Sequence, residues 1–170
     1  MVLIDSSFEG GNIEVVDANS FDDIRLKIRK DTKSDFFQWF AFRLIGARNK
    51  PCVLKILNAA QASFPSGWED YRAVKSSDKC DWQRVPTSFK NGILEIKITP
   101  DSDAEYLSYF AMYPSERHAN LVAKCQASPD VSLSVPGFTA RGRPLEVLKF
   151  DDETKKLSLI HISEPTRPRS

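Results

Sequence analysis

The chain has 170 residues, enough for one ordinary domain or for one domain and part of another. Hydrophobic residues make up 41% and charged residues 28%, a balance typical of a folded globular protein rather than a disordered chain. The 24 basic and 23 acidic residues leave a net charge of +1. Such a charge provides no strong field to attract nucleic acid or an anionic membrane, so we expect neither partner.

Membrane insertion and disulfide bonding are also unexpected. No run approaches the roughly 18 apolar residues that a membrane span requires, and Asp5 comes too early for a secretory signal. The odd number of cysteines, at Cys52, Cys80 and Cys125, predicts buried free thiols in a reducing cytosol. Their wide spacing does not suit a metal site. We therefore predict a cytoplasmic protein.

Residues 12–113 are patterned mostly as strands. Residues 24–29 alternate between apolar and basic side chains, as a half-buried antiparallel strand does. Residues 36–45 carry apolar side chains on both faces, which predicts a strand in the middle of a packed structure. A turn over residues 46–51 leads into another strand at residues 53–57.

The clearest turn signal is Asn91-Gly92, because both residues tolerate positive φ. It joins a strand over residues 85–88 to an alternating strand over residues 94–98. An aromatic-rich strand follows at residues 106–113. Short strands separated by turns predict an antiparallel β-sandwich over residues 1–113.

The pattern changes at Pro114-Ser115. Ser115 is the predicted N-cap of a helix, and Glu116 suits the first turn of that helix. One face of the helix carries His118, Leu121, Val122 and Cys125. Two strands follow, at residues 131–135 and 145–150. A helix and new strands after a β-rich region predict a domain boundary at residues 113–116.

Seven segments carry the most specific pattern in the chain. They are Phe8-Glu9-Gly10-Gly11-Asn12, Phe37-Gln38-Trp39-Phe40-Ala41-Phe42, residues 63–71, Trp82-Gln83-Arg84-Val85-Pro86, Tyr109-Phe110-Ala111-Met112-Tyr113, Ser115-Glu116-Arg117-His118, and the glycine-rich hairpin at residues 137–150. In this order they resemble the cytosolic carboxypeptidases, a family of zinc metallocarboxypeptidases. The Met-Tyr-Pro-Ser sequence at residues 112–115 departs from the family, which commonly has another aromatic residue and a serine there.

The resemblance implies a mostly β chain: an antiparallel β-sandwich at residues 1–113, then at residues 114–156 the first helix and hairpin of a truncated α/β catalytic domain. It also implies a parent enzyme that uses zinc to remove C-terminal residues from peptides or proteins. In this family a His-x-x-Glu pair and a later histidine hold the zinc, and a glutamate acts as general base. These positions lie beyond the hairpin. We therefore assign no catalytic, cofactor-binding or metal-binding residue in this chain, and we predict that it is inactive.

Residues 157–167 resemble a translated sequencing adapter. We interpret residues 157–170 as an artefact tail and exclude them from the fold prediction. The alternative is a short apolar C-terminal strand. Without this tail His118 is the one histidine left, and one histidine cannot provide the three protein ligands of a catalytic zinc site.

Several polar side chains have a functional and a structural interpretation. His118 could bind a metal or could lie satisfied at an interface. Arg141-Gly142-Arg143 could bind an anion or could form a tight turn. The carboxylates of Glu69-Asp70 and of residues 151–153 share no obvious site, which favours solvated loops.

Two larger sets leave similar alternatives. A basic strand face could contact an acidic peptide or face solvent; it comprises Arg25, Lys27, Arg29 and Lys30. Four aromatic residues could form a ligand platform or pack in the core; they are Phe37, Trp39, Tyr106 and Tyr109. For the whole chain, the alternative to the enzyme is a non-enzymatic β-sandwich that binds peptide or carbohydrate, because sandwich folds support many functions.

Overall fold

A computed structural model describes residues 2–31, 34–139, 142–150 and 159–162, the last range as backbone only. The chain divides into two compact units, Met1–Met112 and Tyr113–Ser170. The first unit contains two sheets and the second contains one helix and one sheet among these described residues.

The described part of the first unit contains ten strands. In chain order they are β1 (Leu3–Asp5), β2 (Glu14–Asp17), β3 (Ile24–Lys27), β4 (Ala41–Ile45), β5 (Cys52–Ile56), β6 (Val74–Ser76), β7 (Gln83–Arg84), β8 (Thr87–Lys90), β9 (Ile93–Ile98) and β10 (Ala104–Ser108). They form two five-stranded sheets, ordered β1-β4-β10-β6-β7 and β2-β3-β5-β9-β8. Two 3-10 turns, at Ala59–Gln61 and Pro65–Trp68, lie between β5 and β6.

The apolar faces of both sheets contribute to one core. In β3 the side chains of Ile24 and Leu26 are fully buried, while the basic residues between and after them are exposed. From the other sheet, Phe42 and Leu44 of β4 join the same cluster. Fully burying one such side chain is worth about 1.5–3 kcal/mol. The prediction of a mostly antiparallel β-sandwich is confirmed.

One pairing departs from the predicted antiparallel arrangement. Strands β3 and β5 are parallel, with Ile24 opposite Leu54 and Leu26 opposite Ile56. The chain between them passes through β4, which belongs to the other sheet. The chain therefore returns to the sheet of β3 in the direction it had before. A crossover connection allows this, whereas a tight hairpin would reverse the strand.

The strand predicted at residues 36–45 is shorter than expected, because β4 covers only Ala41–Ile45. The residues just before β4 pair instead with a loop. The amide of Phe37 donates to Ser63 Oγ at 2.8 Å, and the amide of Ser63 donates to the carbonyl of Phe37 at 2.8 Å. Likewise, the strand predicted at residues 106–113 is β10, which ends at Ser108.

The hairpin prediction is confirmed. Strands β8 and β9 are antiparallel neighbours, with Lys90 opposite Ile93. Between them Asn91 has a φ of 52° and Gly92 a φ of 81°. Two successive positive φ angles match the twist of a two-residue hairpin, and Asn-Gly adopts them at low cost.

The second unit contains α1 (Ser115–Gln126), β11 (Val131–Phe138), β12 (Pro144–Phe150) and β13 (Leu159–Ile162), with the three strands forming an antiparallel sheet. The predicted helix and two strands are present. The prediction of Ser115 as N-cap is wrong: the N-cap is Pro114, with no side-chain capping bond. Proline has no side-chain acceptor, and the Ser115 hydroxyl accepts a hydrogen bond from the Arg143 guanidinium instead.

Part of the excluded tail forms a strand. The backbone of β13 pairs with β12, with Leu159 opposite Phe150 and Ile162 opposite Val147. This segment matches the alternative of a short apolar strand. Its alternating isoleucines suit a sheet, and β12 offers it an edge to pair with. Residues 157, 158 and 163–170 lie outside the described ranges, and the adapter origin stays a prediction.

Candidate functional site

Three of the seven specific segments meet around Trp39. Its indole Nε1 donates to the carbonyl of Gly10 at 2.7 Å, and Asn12 Nδ2 donates to the carbonyl of Trp39 at 2.9 Å. The ring of Phe110 packs edge-on against the indole, with centroids 4.8 Å apart. Segments far apart in sequence are therefore held together by direct contacts.

The loop at residues 8–12 fits tightly into this arrangement. A Cβ atom at Gly11 would lie 2.1 Å from the carbonyl oxygen of Ser6. At Gly10 a Cβ atom would lie 3.1 Å from Cε of Met112, the last residue of the first unit. The close approach to Ser6 explains why a glycine occupies position 11.

A fourth specific segment lies beside Trp39. Gln38 exchanges two hydrogen bonds with the backbone of Phe64: Nε2 donates to the carbonyl at 3.2 Å, and Oε1 accepts from the amide at 3.0 Å. Phe36, Phe64 and Phe110 are 65%, 60% and 54% exposed. We name Phe36, Trp39, Phe64 and Phe110 the aromatic surface.

Phe110 of the aromatic surface packs on a group of rings in which Trp68 is buried and Tyr71 and Tyr109 are partly buried. Tyr71 stacks on Tyr109 with centroids 4.9 Å apart, and its hydroxyl donates to the Tyr109 carbonyl at 2.5 Å. Burial raises the pKa of the Tyr71 hydroxyl above its usual value. Trp68, edge-on to both rings, donates from Nε1 to the carbonyl of Ala59 at 2.9 Å.

The four aromatic residues considered as a ligand platform do not form one surface. Trp39 and Tyr109 both contact the ring of Phe110, whereas Phe37 packs partly buried against the core. Tyr106 belongs to another cluster, where its ring lies beneath the cations of Arg43 and Lys79 and edge-on to Phe8. Sequence reasoning missed Phe110 as the ring that joins Trp39 to Tyr109.

The basic face of β3 is balanced by a carboxylate. Asp23 pairs with Arg25 at 2.6 Å and with Lys55 of the neighbouring strand β5 at 2.9 Å. Hydrogen bonds from Arg25 and then Lys55 hold the pKa of Asp23 below its usual value. Lys30 pairs with Asp35 at 2.9 Å. These ion pairs offset much of the charge that an acidic peptide would need.

His118 lies in a contact within the second unit. Its Nε2 is 2.7 Å from Oε2 of Glu146, which links α1 to β12, and its ring packs edge-on to Tyr113. This geometry is that of a hydrogen-bonded interface histidine.

Next to the turn predicted at Arg141-Gly142-Arg143, the amide of Thr139 donates to the carbonyl of Arg143 at 2.8 Å. Arg141 and residues 151–153 lie outside the described residues.

The described side chains do not fit a catalytic zinc site. Nowhere in the described ranges do three or more His, Cys, Asp or Glu side chains converge, whereas catalytic zinc takes three protein ligands.

Asp70 is in a turn, with a φ of 53°, beside a cleft of about 530 Å³ that Trp68, Tyr71 and Phe89 also line. A second cleft of about 440 Å³ is lined by Cys52, Lys75, Arg84 and Lys97, among others.

The cysteines are free, as predicted, but they are not all buried. Cys52 is buried, Cys125 is half-buried and Cys80 is exposed. Burial also raises the pKa of the Cys52 thiol. The prediction of burial is wrong for Cys80, which lies in a loop where its amide donates to Asp78 Oδ1 at 2.8 Å.

Among the residues described, no helix has the length and apolar character needed to cross a membrane.

Two five-stranded sheets that share one hydrophobic core define a β-sandwich domain, and the sequence identifies the family of that domain. The chain belongs to the cytosolic carboxypeptidase N-terminal domain family, whose sequence model matches residues 4–110. The family predicted from the seven segments is confirmed.

Solved structures of metallocarboxypeptidases are similar to this chain. A metallo-carboxypeptidase from Burkholderia cenocepacia is 43% identical with a TM-score of 0.86, over 89% of this chain and 40% of that one. A metallo-carboxypeptidase from Pseudomonas aeruginosa, in complex with (2-guanidinoethylmercapto)succinic acid, is 36% identical with a TM-score of 0.83, over 88% of this chain and 40% of that one.

A curated relative gives the same proportions. An uncharacterized protein of Zymomonas mobilis is 38% identical over 162 residues, which are 95% of this chain and 42% of that protein. The chain therefore spans about two fifths of the length of these relatives.

Proposed function

We propose that this chain is the N-terminal part of a cytoplasmic zinc metallocarboxypeptidase, which hydrolyses C-terminal residues from peptides or proteins. One observation carries the proposal. The chain is 43% identical to a solved metallo-carboxypeptidase along most of its own length, yet it covers only 40% of that enzyme. Because a β-sandwich by itself is compatible with many functions, the proposal depends on this sequence identity rather than on the fold.

In this proposal residues 1–113 are the N-terminal β-sandwich domain and residues 114–156 begin the catalytic domain. Residues 157–170 remain a proposed adapter-derived tail. Zinc would be held by residues of the longer protein, where it would polarise the scissile carbonyl and lower the pKa of a bound water. The chain of 170 residues would then bind no catalytic zinc and hydrolyse nothing.

The proposed substrate is the C-terminal end of a peptide or protein. The compound bound to the Pseudomonas aeruginosa enzyme is, by its name, a succinic acid carrying a guanidino group. Its carboxylates resemble the free carboxylate at a polypeptide end. The relative binds a compound with such carboxylates. This supports the proposal that the longer form of this protein acts on a substrate with a terminal carboxylate.

The experiment is to recover the intact gene and to purify the longer protein beside the chain of 170 residues. We expect the longer protein to contain about one zinc ion per chain. It should release C-terminal residues from peptides, lose that activity with a chelator and regain it with added zinc. The chain of 170 residues should show no activity, and calorimetry should detect no tight zinc binding.

Two outcomes would contradict this proposal. A gene that terminates at this point would favour the non-enzymatic module that binds peptide or carbohydrate. A micromolar zinc site in the chain of 170 residues would contradict the proposal that its metal ligands lie elsewhere.

A further inference from the structure

We propose that the cleft of about 440 Å³ in the first unit binds an organic carboxylate, whose charged group pairs with Arg84 and whose apolar part contacts the floor of the cleft. We name it the basic cleft. Its lining includes three basic and three buried apolar residues: Lys75, Arg84, Lys97, Cys52, Val85 and Ile98. All of them belong to the first unit, so this ligand site goes beyond the proposed enzyme activity and does not depend on it.

The basic cleft lies where the chain passes from one sheet to the other. On one side Cys52 begins β5 and pairs with Ile98, the last residue of β9. On the other side Lys75 and Arg84 belong to β6 and β7, which are neighbouring strands of the other sheet. Both sheets therefore contribute side chains to the same cleft.

Backbone hydrogen bonds hold this part of the chain in place. Residues 85–86 connect β7 to β8, which lie in different sheets. The amide of Val85 donates to the carbonyl of Ala73 at 2.9 Å, and the amide of Lys97 donates to the carbonyl of Pro86 at 3.0 Å. Because the cleft is already formed, a ligand that enters it orders little of the backbone and loses little binding free energy in doing so.

The charge of the lining favours an anion. Among the described residues that line the cleft there are three cations and no carboxylate. Arg84 is the most available of the three: its Nη1 donates to the neutral carbonyl of Arg72 at 3.1 Å, and within the described ranges it forms no ion pair. A guanidinium has five N–H donors and can hold a carboxylate through two parallel hydrogen bonds. Arg84 therefore keeps donors for a bound anion.

The two lysines pair with carboxylates that lie outside the lining. Lys75 is 2.8 Å from Asp101 and 4.0 Å from the buried Glu105. Lys97 is 3.1 Å from Glu95. The side chain of Asp101 is 85% exposed and that of Lys97 is 64% exposed, and ion pairs with such exposed partners contribute little to stability. A ligand carboxylate can therefore take the place of Asp101 at little cost.

The floor of the cleft selects the kind of anion. Cys52, Val85 and Ile98 are all buried and apolar. An inorganic anion would leave this apolar surface in contact with water, whereas an apolar chain attached to a carboxylate would cover it. Ligand sites in proteins commonly combine an apolar lining with a few polar groups in a volume of about 300–1,000 Å³. The basic cleft therefore suits a carboxylate with a short apolar chain.

The test is a titration of the isotope-labelled chain of 170 residues with hexanoate, followed by two-dimensional NMR. Hexanol has the same apolar chain without the charge, and inorganic phosphate has the charge without the chain. Hexanoate should shift the amide signals of Cys52, Val85 and Ile98, and it should bind at least about tenfold more tightly than either matched compound. Its affinity should fall as the salt concentration rises.

Variants test the role of the cations. Arg84→Gln keeps a polar side chain and removes the charge, so the affinity for hexanoate should fall at least about tenfold. Arg48→Gln is the matched control, because Arg48 lies outside the lining and pairs with the exposed Asp103; its affinity should equal that of wild type. Lys97→Gln changes an exposed side chain and should weaken binding about threefold, which provides a second variant if Arg84→Gln does not fold.

Three outcomes would overturn the proposal. Hexanol or phosphate that binds as tightly as hexanoate would show that the cleft does not require both the charge and the apolar chain. Shifts confined to residues outside the basic cleft would place the ligand elsewhere. A folded Arg84→Gln variant with wild-type affinity would exclude pairing with Arg84. None of these results bears on the zinc content of the longer protein, so each leaves the proposed function standing.

Discussion

Trp39 donates a hydrogen bond of 2.7 Å from its indole Nε1 to the carbonyl of Gly10, which lies in a different specific segment. The same indole supports the exposed ring of Phe110. This one side chain therefore contacts both the loop at residues 8–12 and Phe110. Substitutions at these contacts should therefore change the stability of the protein.

The first prediction concerns this hydrogen bond. Trp39→Phe keeps an aromatic ring but removes the donor, so we expect the free energy of unfolding to fall by about 1 kcal/mol. Trp82→Phe is the control, because Trp82 Nε1 donates only to the carbonyl of nearby Lys79, and its loss should cost less than about 0.5 kcal/mol. Urea unfolding measures both, and equal losses would show that the contact with Gly10 is not specific.

The second prediction concerns the close approach at Gly11. In Gly11→Ala the new methyl group would lie 2.1 Å from the backbone oxygen of Ser6, so the loop must move. We expect a loss of more than about 2 kcal/mol in stability. At Gly137 a Cβ atom meets nothing closer than 3.9 Å, so Gly137→Ala should be close to neutral. Thermal unfolding compares them, and a Gly11→Ala variant as stable as the control would rule out this loop geometry.

The third prediction concerns the rings on which Phe110 packs. Tyr71→Phe removes the hydroxyl that donates to the carbonyl of Tyr109 and leaves the stacked ring in place. Leaving this partly buried acceptor without its donor should cost about 1 kcal/mol. We therefore expect a lower urea midpoint with an unchanged denaturant dependence. An unchanged midpoint would mean that water satisfies this carbonyl equally well.

The fourth prediction concerns pH. Hydrogen bonds from Arg25 and Lys55 hold the pKa of Asp23 below the value of about 3.9 found in unfolded chains. A carboxyl group with a lowered folded pKa stabilises the protein above its unfolded pKa, and this contribution is lost as the pH falls through the folded value. Asp23→Asn should thus be less stable than wild type at pH 7, and the difference should shrink below about pH 4.

The control for this pH series is Asp22→Asn. Asp22 accepts a hydrogen bond from the Ser20 hydroxyl, and among the described residues it forms no ion pair. Asp22→Asn removes a neighbouring negative charge and leaves the ion pairs of Asp23 with Arg25 and Lys55 in place, so it reports the effect of the lost charge alone. Urea midpoints between pH 7 and pH 2.5 give the comparison. A constant difference for Asp23→Asn across that range would show that its ion pairs do not contribute to folding.

The features that the sequence predicted correctly are local or ordered along the chain. The positive φ angles of Asn91 and Gly92 depend on those two residues, and the alternation in β3 depends on its immediate neighbours. The order of the seven segments identified the family because it is itself a property of the sequence. The extent of β4 was not predictable in this way, since Phe37 pairs with Ser63 rather than with a strand.

What the sequence by itself determined is the mostly β class, the Asn91-Gly92 hairpin and the family. The tertiary structure alone decided that β3 and β5 run parallel and that Gly10, Trp39 and Phe110 meet. Hydrophobic periodicity records which face of a strand is buried, but not which distant segment covers it. That choice depends on contacts whose loop-closure cost is recovered only when the whole core assembles.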